Sequence, residues 1–269
     1  MNHIKTIAQE LGLNEKAVEA AVNLIDEGNT IPFIARYRKE ATGSMDDQVL
    51  RKLGERLDYL RGLDKRRDEV KRSIEEQGAM TEELAQKLEA AETLARLEDL
   101  YRPYRPKRKT RASVARARGL APLAELLLAQ NSGTDPEKAA ADYLSGEVPD
   151  TAAALAGARD ILAEQFSDDA ALRQELRELY QRTALLASKA ADAEKESVYE
   201  QYYDYAEPVS KVAGHRILAV DRGEREGFLK VSIQAESEQA AALLRRRFVR
   251  AGGGPSAAQV TLAAQDAYD

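Results

Sequence analysis

Between Leu100 and Arg118 the chain reads YRPYRPKRKTRASVARAR, and two kinds of group in it can do binding chemistry. Eight cations (Arg102, Arg105, Lys107, Arg108, Lys109, Arg111, Arg116 and Arg118) stand in this stretch without a carboxylate among them. Tyr101 and Tyr104 lie beside them, interleaved with Pro103 and Pro106. Cations neutralise phosphates and release their counterions, and tyrosine rings offer faces on which bases stack. The prolines restrict the segment, so less entropy is lost when it is ordered. The concentration contrasts with the whole chain, whose formal net charge of -6 would be -14 without these eight residues. A smaller cluster, Arg36, Arg38 and Lys39, encloses Tyr37. A third, RRRFVR, spans 245–250.

A competing reading fits the same residues. The tyrosines would anchor the loop on the core, and the arginines would pair with acids on neighbouring helices. A mostly acidic body is a poor binder of polyanions, which favours this second view. The residues alone leave both open. The alternating charges of RGLDKRRDEVKR (61–72), where Asp64, Asp68 and Glu69 interrupt the cations, read as a solvated helix face.

Catalytic chemistry finds no constellation. His3 and His215 are the only histidines and stand more than two hundred residues apart, and there is no cysteine. Disulfides, thiolate metal sites and thiol nucleophiles are therefore excluded. Neither a nucleophile elbow nor a Walker loop occurs. The GGGP stretch at 252–255 lacks the lysine of a phosphate loop and reads as a joint. Acid pairs such as Asp46–Asp47 and Asp168–Asp169 sit where helices begin, so the helix dipole accounts for them. No enzymatic activity, cofactor, metal or small-molecule substrate is expected. No apolar run approaches the roughly 20 residues of a membrane span. The first residues lack a signal-peptide core. The expected location is the cytoplasm, with no membrane partner.

The elements that must position these groups are mainly helices, as a composition rich in Ala, Leu, Glu, Arg and Lys implies. Residues 1–30 predict a helix-turn-helix-like pair, broken at Gly12, capped again by Asn14 and ended at Gly28. Its second helix carries Glu15, Glu19, Asp26 and Glu27 against Lys16 alone, which opposes DNA reading and favours a structural role. TIPFIARYRKEATG follows as a connector broken at Pro32. A long helix capped by Ser44 then runs to Gly78, with Leu53, Leu57, Leu60, Val70 and Ile74 on one face. Thr81 caps a partner reaching Leu100, with Leu84, Leu88, Ala91 and Ala95 inward. Together they make a long antiparallel hairpin over about 45–100. Beyond the basic loop (101–118) come helices ending at Gly119, opening at Pro122, and capped by Asp135, then two over 151–166 and 168–188. One or two short strands fall near 216–233: FLKVSI is a strand, and HRILAV is strand or helix. A last apolar helical pattern covers 257–268 and stops at Asp269 without a capping signal.

Three stretches, IPFIARYRKEATGSMDD, LEDLYRPYRPKRKTRASVARARGLAPLA and HRILAVDRGEREGFLKV, resemble the Tex family of bacterial transcription accessory proteins in wording and order. The resemblance covers essentially the whole chain from Ile4. It implies a Tex-type helical domain over 31–190 and a connecting region over 191–269. That region would lead toward an RNase H-like domain of the YqgF type, helix-hairpin-helix repeats and an RNA-binding OB-fold in longer family members. The chain then reads as an N-terminal fragment. The family implies transcription-linked binding of nucleic acid, RNA or DNA, without sequence preference. Arg102, Arg105, Lys107, Arg108, Lys109 and Arg111 would contact phosphates, Tyr101 and Tyr104 would stack or anchor, and Arg36, Arg38 and Lys39 would form a second patch. The alternative is a scaffold packing on the remaining domains or on RNA polymerase.

Overall fold

In the computed structural model, which describes residues 2–235 and 237–268, the chain divides between Tyr104 and Arg105 into two units. Asp269, the expected stopping point of the last helix, lies outside the described residues. The fold is mainly α: fourteen α-helices and three short strands among the described residues.

The first unit holds α1 (His3–Leu11), α2 (Glu15–Asp26), α3 (Ile31–Tyr37), α4 (Asp47–Glu76), α5 (Glu82–Glu89) and α6 (Leu94–Tyr101), followed by a 3-10 turn at Arg102–Tyr104. Capping sets the early boundaries. Gly12 closes α1 in the left-handed region at φ 65°, and the Asn14 side chain accepts from the N–H groups of Lys16 and Ala17. Both were expected. Ile7, Val18, Ala21 and Val22 bury their side chains with Leu50, Leu53, Leu57 and Leu60 of α4.

Three expectations for this unit are corrected. Residues 31–37 form α3 rather than a connector, because Pro32 occupies the first turn, where a missing N–H loses no intrahelical bond. The cap of α4 is Asp46, whose carboxylate accepts from Val49 N at 2.8 Å, whereas Ser44 lies outside the helix at φ 63°. The second arm of the hairpin is two helices. Thr81 caps α5 as expected, but Thr93 starts α6 afresh, so Ala95 is exposed and Leu97 takes the inward position. At 30 residues, α4 runs about 45 Å as the backbone on which the others pack.

The second unit contains α7 (Arg111–Ala117), α8 (Ala121–Ala129), α9 (Pro136–Ala141), α10 (Thr151–Ser167), α11 (Ala170–Thr183), β1 (Leu185–Ala190), β2 (Asp204–Pro208), α12 (Gly214–Arg225), β3 (Leu229–Gln234), α13 (Ser237–Phe248) and α14 (Gly254–Tyr268). α10 is central. Its Ala154, Ala158, Leu162 and Phe166 share a core with Leu123, Leu127, Val260 and Ala264. Phe166 stacks on Phe248 of α13 with centroids 3.9 Å apart. Gly157 permits the tight crossing near α7 and α8, since a β-carbon there would come within 2.4 Å of Leu120 Cδ1.

Here the sequence pattern misled over residues 168–188. The helix expected over 168–188 ends at Thr183, and Leu186 belongs to β1. β1 is the middle strand of an antiparallel sheet ordered β2-β1-β3, so pairing on both sides overrides the weak strand preference of LLASKA. HRILAV lies on α12, so the strands near 216–233 reduce to β3, which was expected. The unforeseen β2 ends at Pro208 on the sheet edge, where a missing donor is tolerated. No helix among the described residues is long and apolar enough to cross a membrane.

Candidate nucleic-acid interface

α6 carries Tyr101 into the first unit rather than to its surface. The ring is 7% exposed, its hydroxyl lies 2.9 Å from Ser73 Oγ, and the Arg66 guanidinium sits 5.4 Å above it. These contacts hold the side chain against α4. Tyr104 is half-buried, and its carbonyl accepts from Gln77 Nε2 at 2.9 Å. Arg102 is exposed at the start of the 3-10 turn.

The other predicted cations belong to the second unit, on the approach to α7. Thr110 and Ser113 form a reciprocal capping box that fixes where this helix starts. Around it, acids hold four of the cations. Lys107 Nζ bonds Asp168 and lies 3.5 Å from Glu164. Arg116 Nη1 reaches Glu164 at 2.6 Å, and Thr110 Oγ1 donates to the same carboxylate at 3.0 Å. Arg111 spans Asp266 at 2.7 Å and Asp160 at 3.5 Å, and Arg118 lies 3.6 Å from Glu147. Arg105, Arg108 and Lys109 are exposed and form no ion pair among the described residues. The segment thus divides into a tethered set and a presented set.

Thr110, Arg111, Asp160, Glu164 and Asp266 line a cleft of about 310 Å³ in this unit. Its two carboxyls on α10 shift in opposite directions. Burial raises Asp160, the Asp266 charge adds to that, and Arg111 opposes both without prevailing. Burial also pushes Glu164 upward, but the hydrogen bonds from Arg116 and Thr110 and the charge of Lys107 prevail and hold it below the ordinary glutamate range. A depressed carboxyl contributes stability above its unfolded pKa and loses it as pH falls through the folded one. Glu164→Gln is therefore expected to cost about 2 kcal/mol at neutral pH, the scale of hydrogen bonds to a charged group. The gap to wild type should close below about pH 4. Urea unfolding of both proteins from pH 7 to 3 measures this. A gap independent of pH would mean that Glu164 acts by packing and not by charge.

The remaining basic clusters separate clearly. Arg36, Arg38 and Lys39, together with Tyr37, are exposed at the end of α3. RRRFVR is consumed internally. Arg245 pairs with Glu238 at 2.6 Å, Arg246 with Glu175 at 3.5 Å, and Arg247 with Asp169 at 2.9 Å, while Arg250 Nη1 donates to the Ala129 carbonyl at 2.9 Å. The stretch 61–72 is largely the solvated face expected of it, with Arg61, Lys65, Asp68, Glu69 and Arg72 exposed, but several of its cations are paired and Arg67 departs from it. Arg61 pairs with Asp26, Arg66 with Glu98, and Lys71 with Glu89, while Arg67 is 4% exposed. Arg67 falls on the apolar stripe of α4 between Leu60, Leu63, Val70 and Ile74. Its position in that spacing was the signal available in the sequence.

Two family models match the chain: the Tex-like protein N-terminal domain over residues 1–75 and the Tex central region-like model over residues 131–260. Neither covers 76–130, where the basic segment lies. The transcriptional accessory protein Tex of Neisseria gonorrhoeae is 46% identical over 243 residues, 88% of this chain and 32% of the relative. Protein YhgF of Escherichia coli K12 is 48% identical over 238 residues, 87% of this chain and 31% of the relative. The human S1 RNA-binding domain-containing protein 1 is 27% identical over 242 residues, 86% of this chain and 24% of that protein. The chain spans about a third of the length of its bacterial relatives.

Proposed function

The chain belongs to the Tex family of transcription accessory proteins, and on that premise we propose that its second unit supplies a non-specific phosphate-contact surface for nucleic acid. The observation that carries the reading is the presented set: Arg105, Arg108 and Lys109, exposed and without ion pairs among the described residues, in a segment where acids hold Lys107, Arg111, Arg116 and Arg118. Tethering Lys107, Arg111 and Arg116 to α10 and α14 fixes the base of the segment, so the presented cations start from a limited set of positions. Less ordering entropy is then lost on contact. Such contacts fix position on a polyanion without reading sequence. A relative named for an RNA-binding domain supports RNA as the first substrate to test.

A second reading rests on the tethered set. If the ion pairs to Glu164, Asp168 and Asp266 are the purpose of the segment, it serves as scaffold and docks on an acidic protein surface, such as one of the transcription machinery. The two readings separate in a salt series. The purified chain should bind single-stranded RNA at low salt, with log affinity falling linearly in log salt at about 0.7 per phosphate, or about 2 for three contacts. Absence of binding at low salt would leave the scaffold reading standing.

A further inference from the structure

α3 brings aromatic rings and cations to one exposed place in the first unit. Phe33 and Tyr37 are four residues apart, which puts them on the same helix face. Their centroids are 5.2 Å apart with planes tilted by 46°. Tyr37 is 65% exposed and Phe33 36%. The Arg38 guanidinium lies 5.4 Å above the Phe33 ring, and its Nη1 donates to the Tyr37 carbonyl at 3.3 Å. The sequence from Gly28 to Lys39 contains no carboxylate. Four arginines elsewhere in the unit find acids, Arg51 with Asp47, Arg56 with Glu10, Arg61 with Asp26 and Arg66 with Glu98, although the exposed Arg72 forms no ion pair among the described residues. Arg36, Arg38 and Lys39 form no ion pair among the described residues.

Folding an exposed tyrosine against an exposed phenylalanine, with three uncompensated cations around them, does little for this unit's own core. The combination matches a different need. A base in a single strand has free faces, and its flanking phosphates are negative; an aromatic plane bordered by cations recognises both. We propose that Tyr37 and Phe33 form a stacking platform for an unpaired base of single-stranded nucleic acid, with Arg36, Arg38 and Lys39 placed for the flanking phosphates. The inference rests on the reading above that the chain meets nucleic acid, and it adds a preference for strand form. Bases in a duplex already stack on one another, so the platform engages single strands and leaves duplex contacts to charge alone.

The experiment uses the whole chain with a short single-stranded RNA carrying 2-aminopurine, whose fluorescence is quenched on stacking, and a duplex of the same sequence. Wild type should quench the probe. Tyr37→Ala should weaken single-strand binding about tenfold, the effect of losing one stacked base, while duplex affinity and the salt slope stay unchanged. Tyr37→Phe, which keeps the ring, should behave as wild type. If Tyr37→Ala and Phe33→Ala both bind and quench as wild type does, the platform is wrong while the phosphate-contact reading stands. Equal weakening on single strand and duplex would also overturn it, since stacking alone cannot do that. If wild type binds neither form, the phosphate-contact reading itself fails.

Discussion

Replacing Arg67 with methionine should destabilise the first unit by about 3 kcal/mol, the scale of breaking a buried ionic contact on one side. Arg67 occupies a core position of α4, yet its guanidinium is fully engaged. Nε donates to the Leu88 carbonyl at 3.0 Å, Nη2 to the Ala91 carbonyl at 2.9 Å, and Nη1 to Asp64. Asp64 is in turn 2.6 Å from His3 Nε2. Burial works against the Asp64 carboxylate, but the His3 and Arg67 contacts prevail and hold its pKa below the ordinary range. The Leu88 carbonyl, at the end of α5, also accepts from Ala91 N at 3.3 Å, whereas the Ala91 carbonyl lies in the break before α6, beyond the last turn of α5. Methionine fills much of the volume but takes the guanidinium from both carbonyls and from Asp64, and an acceptor left dry costs about 1–3 kcal/mol. Lysine keeps the charge but lacks the planar fork that reaches three acceptors at once, so it should recover only part of the loss. Urea unfolding gives the magnitude, and hydrogen exchange at the amides of 88–94 gives the place. A loss under about 1 kcal/mol would mean that water takes over the carbonyls, and that Arg67 is not what holds the break.

That residue also shows where the sequence was legible and where it was not. Capping chemistry was read directly, because Asn14, Thr81 and Asp135 act on backbone only two or three positions away. The apolar face of α4 was read from its period. The local misreadings were the cap of α4, given to Ser44 rather than Asp46, and Pro32; most of the rest that failed was non-local. Arg67 looked solvated because alternating charges usually are, but its acceptors come from a helix about twenty residues later. β1 looked helical because the partners that make it a strand, β2 and β3, are separated from it by loops and by α12. α3 was missed through giving Pro32 the meaning it has inside a helix rather than in a first turn, and with α3 went the pairing of Phe33 with Tyr37. In the basic segment, residue types identified the candidates but could not sort them. Only the positions of Glu164, Asp168 and Asp266 separate the tethered Lys107, Arg111 and Arg116 from the presented Arg105, Arg108 and Lys109.

That sorting yields a test in which a variant of the segment and a variant of the acid that holds it move affinity in opposite directions. Reversing the presented charges, as Arg105→Glu, Arg108→Glu and Lys109→Glu together, should lower affinity for single-stranded RNA at low salt by about a hundredfold or more. The salt dependence should flatten too, since the slope falls by about 0.7 for every phosphate that is no longer neutralised. These side chains are exposed and form no ion pair among the described residues, so stability should change by less than about 0.5 kcal/mol. Glu164→Gln should do the reverse on both counts. It costs stability, but it removes a negative charge from beside the segment and releases Arg116, whose side chain is 43% exposed and able to turn outward. Affinity should then rise several-fold and the salt slope should steepen by roughly the 0.7 expected for one more phosphate. A scaffold whose basic segment serves only its own ion pairs predicts something else: Glu164→Gln weakens the fold, and neither variant alters polyanion binding. Equilibrium binding across a salt series, run beside urea unfolding of the same preparations, separates the two. Opposite movements in affinity and in stability are the signature of a segment that acids hold at its base and leave free at its tip.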